Sequence, residues 1–357
     1  MRKLRESLEE NYRRISTAAI LIAFIIDSVT LVRVDLYLTN LLLLVYLAIV
    51  GVGIVIINLY EDGRTRFISE DAYQWLFIAM QFSFGGLFGR FLIYYSRSGS
   101  LLTSWPFLLL LAGLLIGNEF SKKYYTRLVL QISFFFLALF SYLIFLIPVL
   151  VGRMGGDIFI LSGYISLLCI LSFLYLLSKT APKRVNSDSH SLYWSIGAIF
   201  FLMNLFYFTN IIPPIPLSLR EAGVYHKVIP GSTGYLVTHE DSARLSFLMP
   251  YEMIHIKAGG TLSAYSAIFA PTNFDTSIVH NWQFYNPSTE QWESRSKITL
   301  PIVGGRDNGY RGYSIKTNLT AGYWRVNMET LRGQSIGATK FKVEYVDKEP
   351  HLTSSTI

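Results

Sequence analysis

The sequence predicts two parts of different fold class: an α-helical membrane bundle of about seven transmembrane helices, followed by an all-β, immunoglobulin-like antiparallel sandwich. Hydrophobic residues make up 52% of the chain, and its mean hydropathy is +0.38, which is high for a soluble protein. Residues 16–213 hold long apolar stretches, each close to the roughly 20 residues that a helix needs to cross a bilayer. After residue 213, apolar and polar residues alternate over short runs, which indicates β-strands.

The membrane part begins behind a short charged segment. Residues 1–15 carry apolar side chains at helical spacing, so we expect a cytoplasmic amphipathic segment and an uncleaved first span. The stretches that follow are too long and too uniformly apolar for barrel strands, whereas a helix satisfies its own backbone polar groups. The seven predicted spans are 16–33, 38–59, 75–96, 101–118, 127–150, 158–178 and 192–213.

Basic residues are distributed unevenly around these spans. With seven spans, the N-terminus and the second, fourth and sixth loops share one side, which carries 13 Lys and Arg, whereas the short loops opposite carry 3. Lys and Arg favour the cytoplasmic side, so we predict a cytoplasmic N-terminus and an extracytoplasmic C-terminal domain. Residues 1–213 hold 17 Lys and Arg against 12 Asp and Glu. Most of the net charge of +7 therefore belongs to the membrane part, and we expect no nucleic-acid partner.

A proline-rich connection separates the two parts. Three prolines within residues 210–217 end the last predicted helix and stiffen the chain. The predicted organisation is a cytoplasmic amphipathic segment at 1–15, a seven-helix transmembrane domain at 16–213, a linker at 214–223, an extracytoplasmic β-sandwich domain at 224–347 and a tail at 348–357.

Period-two patterns support the β assignment. Trp324, Val326 and Met328 alternate with polar residues, and turns rich in Gly, Pro and Asn separate this run from its neighbours, as in an antiparallel sandwich. The single cysteine, Cys169, lies in a predicted span, so we expect no disulfide in the β domain. His280 has no second His or carboxylate at metal-ligand spacing. We therefore predict neither a metal nor another cofactor.

Five charged residues at or near the outer ends of the first and third spans form a candidate ligand site. Asp27 and Arg90 fall at similar depth within the predicted spans, and Arg33, Asp35 and Arg97 follow the same edge. Charges at membrane depth are costly and often functional, so these residues are candidates for binding a headgroup or an ion. The alternative is structural: a salt bridge that fixes helix packing, or an Arg90 side chain that reaches the interface.

The β domain offers a second set of candidates. His280 shares a strand face with Trp282 and other apolar residues, so it is either a hydrogen-bonded core histidine or part of a cleft. A basic-aromatic cluster follows, which is typical of surfaces that bind sugars, anionic headgroups or proteins but also arises on ordinary solvated strands. Its candidate binding residues are Arg306, Tyr310, Arg311 and Tyr323, and its other members are Tyr313, Lys316 and Arg325.

Several short motifs resemble a bacterial family, family 2914 of the domains of unknown function. In the C-terminal part these are Ala270-Pro271, His280-Asn281-Trp282, Gly304-Gly305-Arg306, Gly309-Tyr310-Arg311 with Ser314, and Gly322-Tyr323-Trp324-Arg325-Val326 with Gly333, Gly337 and Phe341. The membrane part resembles the hydrophobic N-terminal half that accompanies this domain in some bacterial proteins. The matching stretches there are Asp27-Ser28 with Thr30-Leu31, Arg33 and Asp35, then Tyr95-Ser96-Arg97-Ser98, Asn118-Glu119 and Ile212-Pro213-Pro214-Ile215-Pro216-Leu217. The resemblance implies a bacterial envelope setting, and it brings no activity or catalytic residue.

These observations favour a non-enzymatic binding protein. The sequence has no nucleophile elbow, P-loop or HExxH motif. We therefore expect a multi-pass protein of the bacterial cytoplasmic (inner) membrane whose periplasmic domain binds an envelope glycan, a lipid headgroup or a protein. Two alternatives remain open: a lipid- or glycan-handling membrane enzyme or transporter with an outer-leaflet polar cavity, and an accessory subunit of a larger membrane complex.

Overall fold

The computed structural model describes residues 37–64, 69–99, 101–120, 127–231, 234–240, 251–272, 274–304, 309–348 and 350–357. The predicted segment 1–15 and the first predicted span, 16–33, lie outside these residues. The chain divides into two compact units: a helical unit that reaches Ile212, and a β unit that combines 97–104 with 213–357.

Six helices fill the described part of the helical unit. They are α1 (Tyr37–Glu61), α2 (Glu70–Ser98), α3 (Leu101–Phe120), α4 (Leu128–Val151), α5 (Gly156–Thr180) and α6 (Pro182–Phe208). They correspond to the second to seventh predicted spans, so the described residues show six helices where we predicted seven in the whole chain. Five are long and apolar enough to cross a membrane; in α3 the apolar part, Thr103–Gly117, is shorter.

The last helix differs from its prediction at both ends. It begins ten residues before the predicted span, because Pro182 occupies the first turn, where a missing N–H costs nothing. The polar residues 183–191 then continue the helix. It ends at Phe208, and Asn210 adopts a positive φ of 60° ahead of the prolines.

Helix α4 packs against α1, α5 and α6 and carries much of the helical core. Its phenylalanines meet rings of neighbouring helices: Phe140 stacks against Phe200, and the centroids of Phe135 and Phe173 are 5.0 Å apart. Such pairs add packing energy beyond the area that they bury.

Eleven strands form three sheets in the described β unit. The orders are β1-β5-β8, β4-β10-β9-β6-β7 and β11-β3-β2. The strands are β1 (Ser218–Tyr225), β2 (Lys227–Pro230), β3 (Tyr235–Glu240), β4 (Glu252–Ile256), β5 (Leu262–Phe269), β6 (Asp275–Asn286), β7 (Gln291–Val303), β8 (Tyr310–Lys316), β9 (Gly322–Thr330), β10 (Ser335–Tyr345) and β11 (Leu352–Thr356).

One strand pair corrects the antiparallel prediction. Strand β4 runs parallel to β10, so the five-stranded sheet is mixed, while every other pair is antiparallel. A parallel pair needs a long crossover, and the sequence between β4 and β10 contains the five intervening strands. The strands also extend past the predicted limits: β1 takes up residues of the 214–223 linker, and β11 lies in the 348–357 tail.

Strand β5 lies at the centre of the β unit, and all eight of its residues are buried. One of its faces meets the five-stranded sheet through Ser266. The other face meets the β11-β3-β2 sheet, where Tyr265 and Ala267 pack with Val228 and Val237. Burial on both faces explains why β5 reads as a nearly continuous small and apolar run rather than an alternating one.

Candidate functional site

The five-stranded sheet turns one face away from β5, and we call it the outer face. On β9, the side chains of Trp324, Val326 and Met328 are buried on the opposite face. Since successive side chains of a strand point to opposite sides, Tyr323 and Arg325 take outer positions. Tyr323 is 39% exposed, so it is available to a ligand.

Cross-strand register builds an aromatic row on the outer face. Lys342 of β10 pairs with Tyr323 of β9, and Tyr285 of β6 pairs with Trp292 of β7. The β6–β9 pairing ends at Phe284 and Trp324, so Tyr285 and Tyr323 are the next residues along the two neighbouring strands. We call Tyr323, Tyr285 and Trp292 the aromatic row. Its rings come from three adjacent strands, about 4.8 Å apart.

A second row runs next to the aromatic row, and we call its residues, Lys340, Arg325, Gln283 and Ser294, the cationic row. Lys340 of β10 pairs with Arg325 of β9, Arg325 pairs with Gln283 of β6, and Gln283 pairs with Ser294 of β7. Lys340 and Ser294 are exposed, whereas Arg325 and Gln283 are half-buried. The two rows together place aromatic rings, cations, an amide and a hydroxyl on one face of the sheet.

The rings and cations hold one another in place. The Arg325 guanidinium lies 4.6 Å from the centroid of the Trp292 ring, and the Trp292 and Tyr285 rings meet edge to face at 5.4 Å. Tyr323 in turn meets Tyr251 edge to face at 5.1 Å. Cation–π and edge-to-face contacts of this kind favour one arrangement of the side chains.

Arg325 is a half-buried cation whose hydrogen bond goes to an amide. Its Nε donates to Oε1 of Gln283, whereas the neighbouring Lys342 donates to the carboxylate of Glu344 at 2.6 Å. Burial lowers the pKa of Arg325, and the more distant charge of Glu329 opposes that shift. Arg325 is thus partly desolvated without a hydrogen-bonded carboxylate, a state that a bound anion would relieve.

A polar network fixes the neighbouring part of the outer face. Asn281 donates to Glu329, Asn327 donates to the same carboxylate at 2.9 Å, and Ser294 donates to Asn281 at 2.6 Å. Lys297 lies 3.7 Å from Glu329. These bonds tie β6, β7 and β9 together through their side chains and reduce the freedom of the surface beside the cationic row.

His280 lies on the opposite, buried face and is fully enclosed. Its Nε2 lies 2.8 Å from Ser266 Oγ and its Nδ1 lies 2.9 Å from Ser314 Oγ, which also accepts a hydrogen bond from Trp282 Nε1 at 3.0 Å. Each ring nitrogen of His280 thus has a serine hydroxyl as its partner, so the neutral imidazole donates through one nitrogen and accepts through the other. Burial lowers the pKa of His280 to about 4.

A second cluster centres on Glu240, the last residue of β3. Its Oε1 accepts from the His255 backbone N–H at 2.7 Å and lies 3.0 Å from His226 Nε2, while its Oε2 lies 2.7 Å from His255 Nδ1. Burial acts to raise the pKa of Glu240, but the hydrogen bonds from His255 and His226 outweigh it and hold the pKa below its usual value. The described residues contain no group of His, Cys, Asp and Glu arranged to hold a metal.

The predicted basic-aromatic cluster is divided between two sheets. Tyr310 and Arg311 lie on β8 in the β1-β5-β8 sheet, where Arg311 Nη1 donates to the Ile357 main-chain oxygen at 3.2 Å. Tyr323 lies on β9 in the five-stranded sheet. Arg306 lies outside the described residues. Residues that are close in sequence are separated here because consecutive strands can belong to different sheets, and the binding role predicted for them stays a prediction.

The polar residues predicted at the outer membrane edge are only partly described. Asp27, Arg33 and Asp35 lie outside the described residues. Arg90 lies in α2 and is buried, with its guanidinium 5.1 Å from the centroid of the Tyr46 ring. The same ring fills the space over Gly86, one turn earlier, where a Cβ would come within 2.6 Å. Arg97 occupies the last turn of α2.

The helical unit contains a polar cluster that the sequence analysis missed. Asn58 of α1 donates to Gln131 of α4 at 2.7 Å and accepts from Arg184 Nε of α6 at 3.3 Å. Asp62 accepts from the Arg184 backbone N–H and lies 3.2 Å from Arg64 Nε. Asn58 and Gln131 are fully buried. The sequence does show amide side chains near the ends of the predicted spans. It does not show that they contact each other, because that depends on how three helices pack.

The aromatic row was missed for a similar reason. Successive side chains of a strand point to opposite faces, so a buried Trp282 already places Gln283 and Tyr285 on the outer face. Trp292 joins them only through the β6–β7 hairpin, whose register shifts between Trp282 and Gln283. The period-two pattern shows which residues of a strand share a face, but it does not show which strand lies next to it.

The comparisons with known proteins assign the C-terminal region and no function. Residues 275–343 match the family described as Protein of unknown function (DUF2914), which confirms the predicted resemblance there. The matched range contains every residue of both rows on the outer face. No curated protein matches the chain.

Three solved structures are similar at low identity. An immunoglobulin-like protein from Pseudomonas aeruginosa is 12% identical, over 35% of this chain and 97% of that chain, with a TM-score of 0.22. A beta-glucosidase from Listeria innocua is 13% identical, over 33% and 17%, with a TM-score of 0.20. An alkylpurine DNA glycosylase from Pseudomonas fluorescens is 8% identical, over 84% and 96%, with a TM-score of 0.21. Likenesses with TM-scores this low carry no argument about function.

Proposed function

We propose that this chain is a non-enzymatic binding protein of the bacterial envelope. Its helices anchor it in the cytoplasmic membrane, and its β unit is an extracytoplasmic, immunoglobulin-like sandwich that binds a ligand on the outer face. The observation that carries this proposal is the pair of adjacent rows on that face, where Arg325 is held between an amide and a ring without a hydrogen-bonded carboxylate. A fixed set of rings and cations on a rigid sheet suits binding.

The helical unit supports the anchoring role. Five described helices have the length and hydropathy of membrane spans, and the uneven distribution of Lys and Arg in the sequence favours a cytoplasmic N-terminus. The polar groups of Asn58, Gln131 and Arg184 bond to one another, which suits helix packing better than transport of a substrate. Polar bonds between helices stabilise membrane bundles.

The buried histidine also supports binding rather than chemistry. His280 is enclosed, and burial keeps its pKa near 4, so it is neutral at physiological pH. A general base needs contact with a substrate and a pKa near the working pH, and His280 meets neither condition. Its two serine partners join the five-stranded sheet to the β1-β5-β8 sheet.

Topology and binding are tested on the full-length protein. Protease added to intact spheroplasts should remove the β unit while leaving a cytoplasmic control protein intact. Purified protein in detergent, incubated with envelope extract, should retain a component and release it unchanged. Protection of the β unit from protease, or chemical conversion of the retained component, would overturn the proposal.

A further inference from the structure

We infer that the outer face of the five-stranded sheet binds an acidic glycan. The inference rests on the proposed extracytoplasmic binding function and names the ligand class of the same site. It uses six residues: Tyr323, Tyr285 and Trp292 of the aromatic row, and Lys340, Arg325 and Gln283 of the cationic row.

Two like charges lie side by side on the outer face. Lys340 and Arg325 are direct cross-strand partners, and like charges placed opposite each other destabilise a sheet. The structure gives Arg325 an amide partner rather than a carboxylate. A bound anion between the two cations converts this repulsion into two attractive contacts. Arg325 would supply the planar fork that carboxylates and phosphates match.

Aromatic rings lie in a row beside these cations. The aromatic row crosses three adjacent strands beside the cations. The apolar faces of sugar rings pack on Tyr and Trp, while the hydroxyl groups of both partners remain in hydrogen-bonding positions. Gln283 and Ser294 supply amide and hydroxyl groups along the same line. An elongated ligand that is partly apolar, rich in hydroxyls and negatively charged fits all of these groups.

The side chains of this face are held in place before a ligand binds. Arg325 is held by Gln283 and by the Trp292 ring, and Trp292 is held by Tyr285. Ordering flexible side chains is a main cost of weak polar binding. Because these side chains are already ordered, more of the contact energy remains for the ligand. The site extends across four neighbouring strands, which suits an extended chain rather than a small molecule that needs a deep pocket.

Other anionic ligands fit less well. A lipid vesicle would require apolar side chains that insert into the bilayer, but Tyr285 and Trp292 are half-buried in the sheet. A nucleic acid would need a broad positive surface, whereas the outer face also carries Glu329 and Glu344. Carboxylates carried on a polyhydroxy chain would meet the two cations while its sugar rings lie along the aromatic row.

The test compares two probes that differ only in charge. Short oligogalacturonates and their methyl esters share a backbone, but the esters lack the carboxylate charge. With full-length protein in detergent, calorimetry should show binding of the acid form, and the ester should bind at least about tenfold more weakly. Higher salt should weaken binding of the acid form.

Variants locate the site. Arg325→Gln and Trp292→Ala should each weaken binding of the acid form at least about tenfold. Lys340→Gln alters only an exposed side chain, so it tests the same site even if the other variants fail to fold. The matched control is Lys227→Gln, an exposed lysine of β2 in another sheet.

The outcomes separate this inference from the proposed function. If envelope material binds but oligogalacturonate does not, the acidic-glycan inference is wrong and the binding function stands. Equal affinity for acid and ester, or unchanged affinity in Lys340→Gln, would also overturn it. Preferential binding of anionic vesicles or of RNA would assign a different ligand class to the outer face.

Discussion

The buried histidine makes a quantitative prediction about pH. Burial lowers the pKa of His280 from 6.5 to about 4. The unfolded chain therefore binds a proton over a range of pH in which the folded chain does not. The contribution of neutral His280 to stability is fully present above its pKa in the unfolded chain. It is lost as pH falls from that pKa toward the lower pKa of the folded chain.

The size of the effect follows from the two pKa values. Between about pH 8 and pH 5 the linkage relation gives a loss of roughly 2 kcal/mol for this one group. Replacing the imidazole by the neutral amide in His280→Gln removes that proton equilibrium. The variant is expected to be less stable at high pH, because the amide fits the two serines less well. The difference in free energy of unfolding between the wild type and this variant should shrink by roughly 2 kcal/mol as pH falls to about 5.

Urea unfolding of full-length protein in detergent measures this difference. Buried Trp282 and Trp324 make tryptophan fluorescence sensitive to unfolding of the β unit, and the signal of Trp75, Trp105 and Trp194 in the helices is common to both proteins. Other titrating groups, including Glu240, contribute equally to both proteins and cancel in the comparison. The control is His351→Gln, which changes an exposed histidine. A stability difference between wild type and His280→Gln that is the same at both pH values would refute the reasoning.

Four further changes test other parts of the molecule. Ser314→Ala leaves two buried ring nitrogens without their hydroxyl partner and should lower the free energy of unfolding by about 2–4 kcal/mol, measured by urea titration. Glu240→Gln should lose less stability than the wild type as pH falls below about 4.5. A carboxyl group whose pKa is lowered by folding stabilises the fold above its unfolded pKa, and this contribution is lost as pH falls through its folded pKa. Acid titration followed by circular dichroism tests this. Asn58→Leu should lower the thermal midpoint of the helical unit in detergent, because its buried partners lose a bond of about 1–3 kcal/mol. Gly304→Ala places a Cβ 1.8 Å from the Pro271 carbonyl oxygen and should lower the yield of folded protein, measured by gel filtration.

The sequence predicted the individual helices and strands better than it predicted which strands pair with each other. Alternation placed Trp324, Val326 and Met328 on one face, and all three are buried. Hydropathy located the described spans, but it placed the start of the last helix at residue 192 rather than Pro182. Hydropathy marks the part of a helix that suits hydrocarbon, whereas hydrogen bonding continues into polar sequence until a cap or a proline ends it.

The candidate site was harder to predict because it depends on pairing between distant strands. Arg325 meets Trp292, 33 positions earlier, through the β6–β7 and β6–β9 registers. Arg311 is much closer to Arg325 in sequence but lies in another sheet. The parallel pairing of β4 with β10 is similarly non-local. Period-two patterns do not encode which strands become partners.

The core and the proposed binding face depend on the same strand register. On β6, His280 and Trp282 bond to the serines of the facing sheet, so they fix which side of the strand is buried. A one-residue slip would exchange the faces, burying Gln283 and exposing Trp282. The bulge in the hairpin adds Arg295 to β7, and its guanidinium lies 5.5 Å from the Phe284 ring centroid. The polar bonds of the core therefore hold Gln283 in register with Arg325, and loss of the buried bonds should disturb ligand binding on the opposite face before the sheet itself unfolds.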